Sequence, residues 1–159
     1  MDNEDELGFL REAIRLSEEK MSEGAGGPFG AVVVQNQQVI GRGWNCVTSL
    51  NDPTAHAEVM AIRDACSRLG SFSLAGCRIF SSCEPCPLCL AAIYWARLDE
   101  LVFAASGSDA AAAGFDDQFI YQELSKPWQQ RAVPVRQALR DEALRTFRQW
   151  LNKSDRITY

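Results

Sequence analysis

One histidine, His56, serves the whole 159-residue chain, so any metal or catalytic set built here draws on a single imidazole. Long apolar runs are missing too. The longest, LCLAAIYWA, is less than half of the roughly 20 residues a bilayer-spanning helix needs, which excludes a helical membrane protein. The N-terminus, MDNEDELG, is acidic where a secretory signal starts basic, so the chain is expected in the cytoplasm. The glycine cluster GAGGPFG has neither GxGxxG spacing nor a following Lys-Ser/Thr pair, so it is not read as a phosphate loop. Its glycines instead let the backbone pass close to a ligand. Internal repeats and low-complexity linkers are also absent, and residues 1–159 read as a single domain large enough to bury its own core.

Nearly half of the residues are apolar and about a quarter are charged, the balance of a globular protein rather than a disordered one. Charge is unevenly spread. Residues 1–125 hold 8 Lys/Arg against 18 Asp/Glu, whereas residues 126–159 hold 8 against 3, so a body of net −10 carries a tail of net +5. An acidic body argues against a nucleic-acid partner, because such binding rests on neutralising many phosphates. Of six cysteines, three crowd into CEPCPLC instead of being spaced to cross-link loops. In a reducing compartment that crowding points to metal or reactive thiols.

Helix and strand patterns alternate. Leu7, Leu10, Ala13, Ile14 and Met21 recur at helical spacing over Asp5–Met21. FGAVVV and QVIGRGW flank the polar turn QNQ as a hairpin whose first strand, apolar on both faces, is central. After NDPT, with Thr54 as cap, a second helix presents Val59, Ile62, Cys66 and Leu69 on one face and closes at Gly70. CRIFSS is a strand, PLCLAAIYWARL a helix opened by Pro87, and ELVFAA a further buried strand. In the tail, AVPVRQ is an edge-strand candidate and DEALRTFRQWLN a helix with Ala143, Leu144, Phe147 and Leu151 along one side. This order predicts an α/β protein, a sheet with helices on both faces.

His56 stands at the start of one helix, and PCPLC sets Cys86 and Cys89 at the start of another, three apart and so on one face. A helix N-terminus favours the thiolate. Two thiolates and one neutral imidazole suit Zn²⁺ over Mg²⁺ or Ca²⁺, and three protein ligands leave a fourth tetrahedral position for water. Glu58, about 200° round the helix from His56, is a poor fourth ligand and suits a general acid/base beside that water. The pair HAE and PCPLC matches the zinc-deaminase signature H-x-E…P-C-x-x-C.

On these motifs the chain resembles the cytidine deaminase-like superfamily. GGPFGAVVV, NDPTAHAEVMAIR, SCEPCPLCLAAIYWAR and AGFDDQFIY further resemble the small bacterial guanine deaminases over nearly the whole length. The resemblance implies a three-layer α/β/α sandwich with a central mixed sheet and one Zn²⁺ per subunit. It also implies a homodimer whose C-terminal segment, about 126–159, is domain-swapped, and conversion of guanine, a small purine base, to xanthine and ammonia. It further implies a base pocket of Phe29, Asn45, Ala57, Trp95 and Asp117, with Tyr159 reaching the substrate from the tail. Asp117 fits such a role chemically, since a carboxylate only accepts hydrogen bonds and guanine offers an edge of N–H donors.

Simpler readings stand beside these. Cys83 forms a second CxxC with Cys86 and could close a Cys₃His structural cage, though the end of a strand suits it better as a core residue. Cys46, Cys66 and Cys77 read as thiols without a role. Phe29 and Trp95 have core readings, Asn45 and Asp117 turn readings, and Tyr159 a plain surface-tail reading. A tRNA adenosine deaminase shares HAE and PCxxC, guanosine and ammeline present similar edges to guanine, and a zinc-stabilised binding module needs no Glu58.

Overall fold

The computed structural model describes residues 3–159, which form two compact units, the first ending at Gln118 and the second Phe119–Tyr159. The first unit runs α1 (Asn3–Ser22), β1 (Gly30–Gln35), β2 (Gln38–Trp44), the one-turn α2 (Val47–Leu50), α3 (Ala57–Leu69), β3 (Arg78–Cys83), α4 (Pro87–Trp95), β4 (Glu100–Ala105) and α5 (Gly107–Ala112). The sheet order is β2-β1-β3-β4, with β1 antiparallel to both neighbours and β3 parallel to β4 across the α4 crossover. Central β1 is buried along nearly its whole length, as its unbroken apolar run predicts. Asn36 and Gln37 both take positive φ, 48° and 62°, giving the mirror-image turn that matches the twist of the hairpin.

Helices cover both faces, and the three-layer α/β/α arrangement follows. On one face α1 packs Leu16 against Val32, Val34 and Phe80. Of the expected stripe Ala13 is buried and Leu10 packs on this core, but Leu7, Ile14 and Met21 are 40–44% exposed, and Phe9 and Leu16 complete the packed face instead. Phe9 decides this, its ring lying 5.3 Å from that of fully buried Phe80. On the other face α3 and α4 pack over Val33 and Ile79. The centre of α3's buried face is Ala57, Ala61 and Ala65, with Ile62 and Cys66 at its flanks and Leu69 exposed. Gly43 of β2 explains this choice: a Cβ there would stand 2.2 Å from both Ala57 O and Ala61 N, so helix and strand meet backbone to backbone.

Other expectations need correction. Strand β4 is an edge strand with Phe103 42% exposed, not a buried one, because no strand among the described residues pairs beyond it. Thr54 does not cap α3; it turns back to Asp52, donating from N and Oγ1 at 2.8 and 2.7 Å, and His56 is the N-cap. The α6 helix (Gln118–Ser125) runs from the end of the first unit into the second, which also holds a 3₁₀ turn (Trp128–Gln130) and α7 (Arg140–Asn152). AVPVRQ forms no strand: Pro134 offers no N–H for a ladder, and two residues past its end Leu139 stands in the left-handed region (φ 54°) as the N-cap of α7. Among the described residues no helix is long and apolar enough to cross a membrane.

Candidate active site

Strand β1 begins at Gly30 and β3 ends at Cys83 on the same edge of the sheet, and the N-termini of α3 and α4 open there. His56 and Cys86 are the N-caps of these two helices, both in extended backbone (ψ 155° and 168°), and neither side chain spends itself on a cap hydrogen bond. Pro87 at the first helical position of α4 needs no hydrogen-bond partner and fixes the entry angle. Cys89 follows one turn later, fully buried.

The side chains converge. His56 Nδ1 lies 3.4 Å from both Cys86 Sγ and Cys89 Sγ, and the three donor atoms all lie within 4.8 Å of one another. A tetrahedral Zn²⁺ with bonds of about 2.3 Å to sulfur and 2.0 Å to nitrogen needs sulfur–nitrogen separations of about 3.5 Å, so the donor set fits that ion. Among the described residues this cluster has three members. Cys83 is outside it, buried, its thiol aimed at Ser106 O at 3.6 Å, so no Cys₃His cage forms. Hydrogen bonding from the Cys89 thiol, with help from His56, outweighs burial and pulls the Cys86 thiol down to about 4. The same pairing with Cys86 pushes Cys89 up and raises His56.

Glu58, in the first turn of α3, is 6% exposed, and its Oε1 accepts from Ser81 Oγ at 3.3 Å. Burial first, then the neighbouring Cys86 charge, raises its pKa. Beside it opens a cavity of about 400 Å³. Phe29 and Phe115 form one wall, edge to face with centroids 4.9 Å apart. Asn45 and buried Ala57 line it too. Asn45 Oδ1 accepts from the backbone N–H of Gly27 (3.1 Å) and Val47 (3.2 Å), which commits its carbonyl to the protein and leaves its amide N–H groups as donors.

Among the described residues four carboxylates line the cavity, those of Glu58, Glu84, Asp116 and Asp117, and no Lys or Arg does. Glu84 holds the start of α5 by accepting Gly107 N–H at 2.8 Å. Asp117 is raised by burial and then by the Cys86, Glu84 and Asp116 charges.

Of the residues expected at the pocket, the structure brings Phe29, Asn45, Ala57 and Asp117 to the cavity with His56, Glu58 and Cys86. Trp95 is not among the residues that line this cavity. It ends α4, 65% exposed, and lines a separate surface recess with Ala91, Tyr94 and Arg97. Nine residues of helix put it about 13 Å from the helix start. Tyr159 ends the second unit with its side chain 71% exposed. Phe115, Thr48, Glu84 and Asp116 line the cavity without having been singled out. Phe115 and Asp116 adjoin Asp117 in AGFDDQFIY, and that adjacency was the available signal.

Residues 3–105 match the model of the family described as the cytidine and deoxycytidylate deaminase zinc-binding region. Over 151 residues the chain is 50% identical to the guanine deaminase of Bacillus subtilis strain 168, covering 95% of this chain and 97% of that one. An X-ray structure of guanine deaminase from Bacillus subtilis matches with a TM-score of 0.94 at 49% identity, covering 100% and 99% of the two chains. The tRNA-specific adenosine deaminase of Aquifex aeolicus is 38% identical over 97 residues, covering 61% of this chain and 64% of that one. The structure of a guanine deaminase from Nitrosomonas europaea matches with a TM-score of 0.65 at 28% identity, covering 89% and 81%.

Proposed function

The chain belongs to the family of cytidine and deoxycytidylate deaminase zinc-binding domains, and we propose that within it this protein is a zinc-dependent guanine deaminase, hydrolysing guanine to xanthine and ammonia. The observation that carries the reading is buried Glu58 beside the His56–Cys86–Cys89 cluster, at a base-sized cavity, in a chain half identical to a guanine deaminase along nearly its full length. Kinship to the tRNA-specific deaminase covers less of the chain, and a cavity with four carboxylates and no Lys or Arg is ill suited to a polynucleotide.

His56, Cys86 and Cys89 would hold the metal. Bound there, Zn²⁺ would supply Lewis-acid chemistry, lowering the pKa of a water towards neutrality. Glu58 takes a proton from the attacking water as the water oxygen bonds to C2 of guanine, and passes it to ring nitrogen N3. It then takes the second proton from the same oxygen and delivers it to the amino nitrogen as the C2–N bond breaks and ammonia leaves. A carboxyl group whose pKa is raised by burial is suited to both halves of this transfer.

Asn45 donates to an acceptor on the base, and Asp117 accepts from its N–H edge. The Phe29 ring, braced by Phe115, supplies a flat apolar wall for stacking, and Ala57 at the start of α3 closes the pocket beside it. The reading extends to a cytoplasmic homodimer, where crowded free cysteines stay reduced and the basic segment 126–159 docks on the acidic body of a second copy with Tyr159 at its substrate.

The test is ammonia release from guanine by the zinc-loaded protein, beside guanosine, ammeline, adenine, cytosine and tRNA, with Glu58→Ala as blank. Preferred turnover of guanine, lost in the blank at unchanged zinc content, is expected. Preference for another substrate would overturn the substrate, and an active Glu58→Ala protein would overturn the mechanism.

A further inference from the structure

The row of β3 side chains facing α3 reads Ile79, Ser81, Cys83, and the middle member is a hydroxyl where the pattern calls for an apolar residue. Ser81 is 1% exposed. Its backbone is held on both sides, paired with Ala31 of β1 and Phe103 of β4, so the side chain projects from one of the most constrained points of the sheet. A buried hydroxyl at such a point needs a partner. Its partner is Glu58 Oε1, at 3.3 Å across the space between sheet and helix. The Ser81 oxygen also accepts weakly from Cys83 N–H at 3.5 Å, a contact that turns the hydroxyl proton away from Cys83 and towards the carboxylate.

We infer that Ser81 is a positioning residue for Glu58, holding one carboxylate oxygen against the sheet so that the other serves the cavity. The inference rests on the reading of Glu58 as the proton-transferring group. Ser81 lies beneath Glu58 and outside the residues that line the cavity, so it touches no substrate. What it controls is the rotamer of a long carboxylate whose reach must be right to a fraction of an ångström. Removing it leaves the base pocket and the metal donors unaltered, so the loss appears in kcat and not in KM.

The neighbouring serine provides the control. Ser82, also buried, points to the opposite face and accepts Gly30 N–H at 3.0 Å, a purely architectural bond. Guanine turnover and zinc content are measured for Ser81→Ala, Ser81→Thr and Ser82→Ala, with Glu58→Ala alongside. Ser81→Ala is expected to lower kcat about 10-fold with KM and zinc unchanged, Ser81→Thr to stay near the parent because it keeps the hydroxyl, and Ser82→Ala to alter stability alone. Equal kcat for the alanine and threonine variants, or a loss in Ser81→Ala that falls equally on KM or zinc, would overturn the inference. Should Ser81→Ala not fold, Ser81→Cys, which fills the site with a weaker donor, takes its place under the same criteria. An active Glu58→Ala protein sinks the parent reading, whereas an inactive one beside a fully active Ser81→Ala sinks only the role of Ser81.

Discussion

Gly26 lies so close to Asn45 that a Cβ added to it would stand 2.3 Å from the Asn45 carbonyl oxygen and 2.5 Å from its Oδ1. The glycine loop is therefore a mould for one amide. Gly26→Ala must push Asn45 aside and break its bonds to Gly27 and Val47. Losing one aligned hydrogen bond to the base predicts a fall of about 10-fold in kcat/KM for guanine, mostly in KM. Steady-state kinetics that match the parent would remove Asn45 from base recognition.

Asn45→Asp separates the two ends of the same side chain. A carboxylate keeps the acceptor that Gly27 and Val47 N–H need but replaces the donating amide with a second acceptor. The variant is expected to fold and to bind zinc as the parent does, and to lose at least about 10-fold in kcat/KM because an acceptor then faces an acceptor. Retained guanine turnover would show that the amide protons go unread.

Gly43 has a stability role of the same kind. Because an added Cβ would meet Ala57 O and Ala61 N at 2.2 Å, Gly43→Ala must lift the start of α3, the turn that carries His56 and Glu58. Overpacking at a backbone contact costs about 1–3 kcal/mol, which in a chain of this size lowers the melting temperature by roughly 2–10 °C. A thermal melt with a zinc assay checks both consequences, and an unchanged melt with full zinc occupancy counts against the close contact.

Local patterns carried much of this architecture and missed where contacts across the fold decide. The alternation of helix and strand, the central place of β1 and the two motifs that converge on one point are written in short stretches of sequence. The face of α3 is not, because only the approach of Gly43 makes Ala57, Ala61 and Ala65 its centre. Nor is β4's place at an edge, which depends on strand order. Phe115 and Glu84 reach the cavity through loop geometry, and Ser81 through a contact between sheet and helix. Trp95, suggested by kinship, stands at the end of α4 in a separate recess of the same chain.

Asp64 accepts from Arg42 N–H and Arg68 Nε, each at 2.9 Å. Burial alone would raise its pKa, but these bonds and the two guanidinium charges outweigh it and hold the carboxyl below its usual range. A folded pKa below the unfolded one, about 3.9, stabilises above that value and is lost as pH falls through the folded pKa. Asp64→Asn should therefore be less stable than the parent at pH 7, by no more than about 1 kcal/mol at a partly solvated site, and the gap should close in acid. Urea midpoints at pH 7 and about pH 3 test this; a gap that widens in acid contradicts it.

Removal of the metal tests the donor set rather than the pocket. Two sulfurs and one imidazole nitrogen favour a soft or borderline ion, so a chelator should abolish ammonia release, and Zn²⁺, but not Mg²⁺ or Ca²⁺, should restore it. Only the folded chain brings the donors together, at two helix starts, so a bound ion would stabilise the fold and its removal should also lower the melting temperature. Half-buried Cys86 should gain reactivity towards a thiol reagent in the metal-free protein, ahead of buried Cys77 and Cys89. A Cys86→Ala protein that lacks the new fast-reacting thiol identifies it. Full activity after exhaustive chelation, with no metal remaining, would leave Glu58 without an activated water and end the hydrolytic reading of this site.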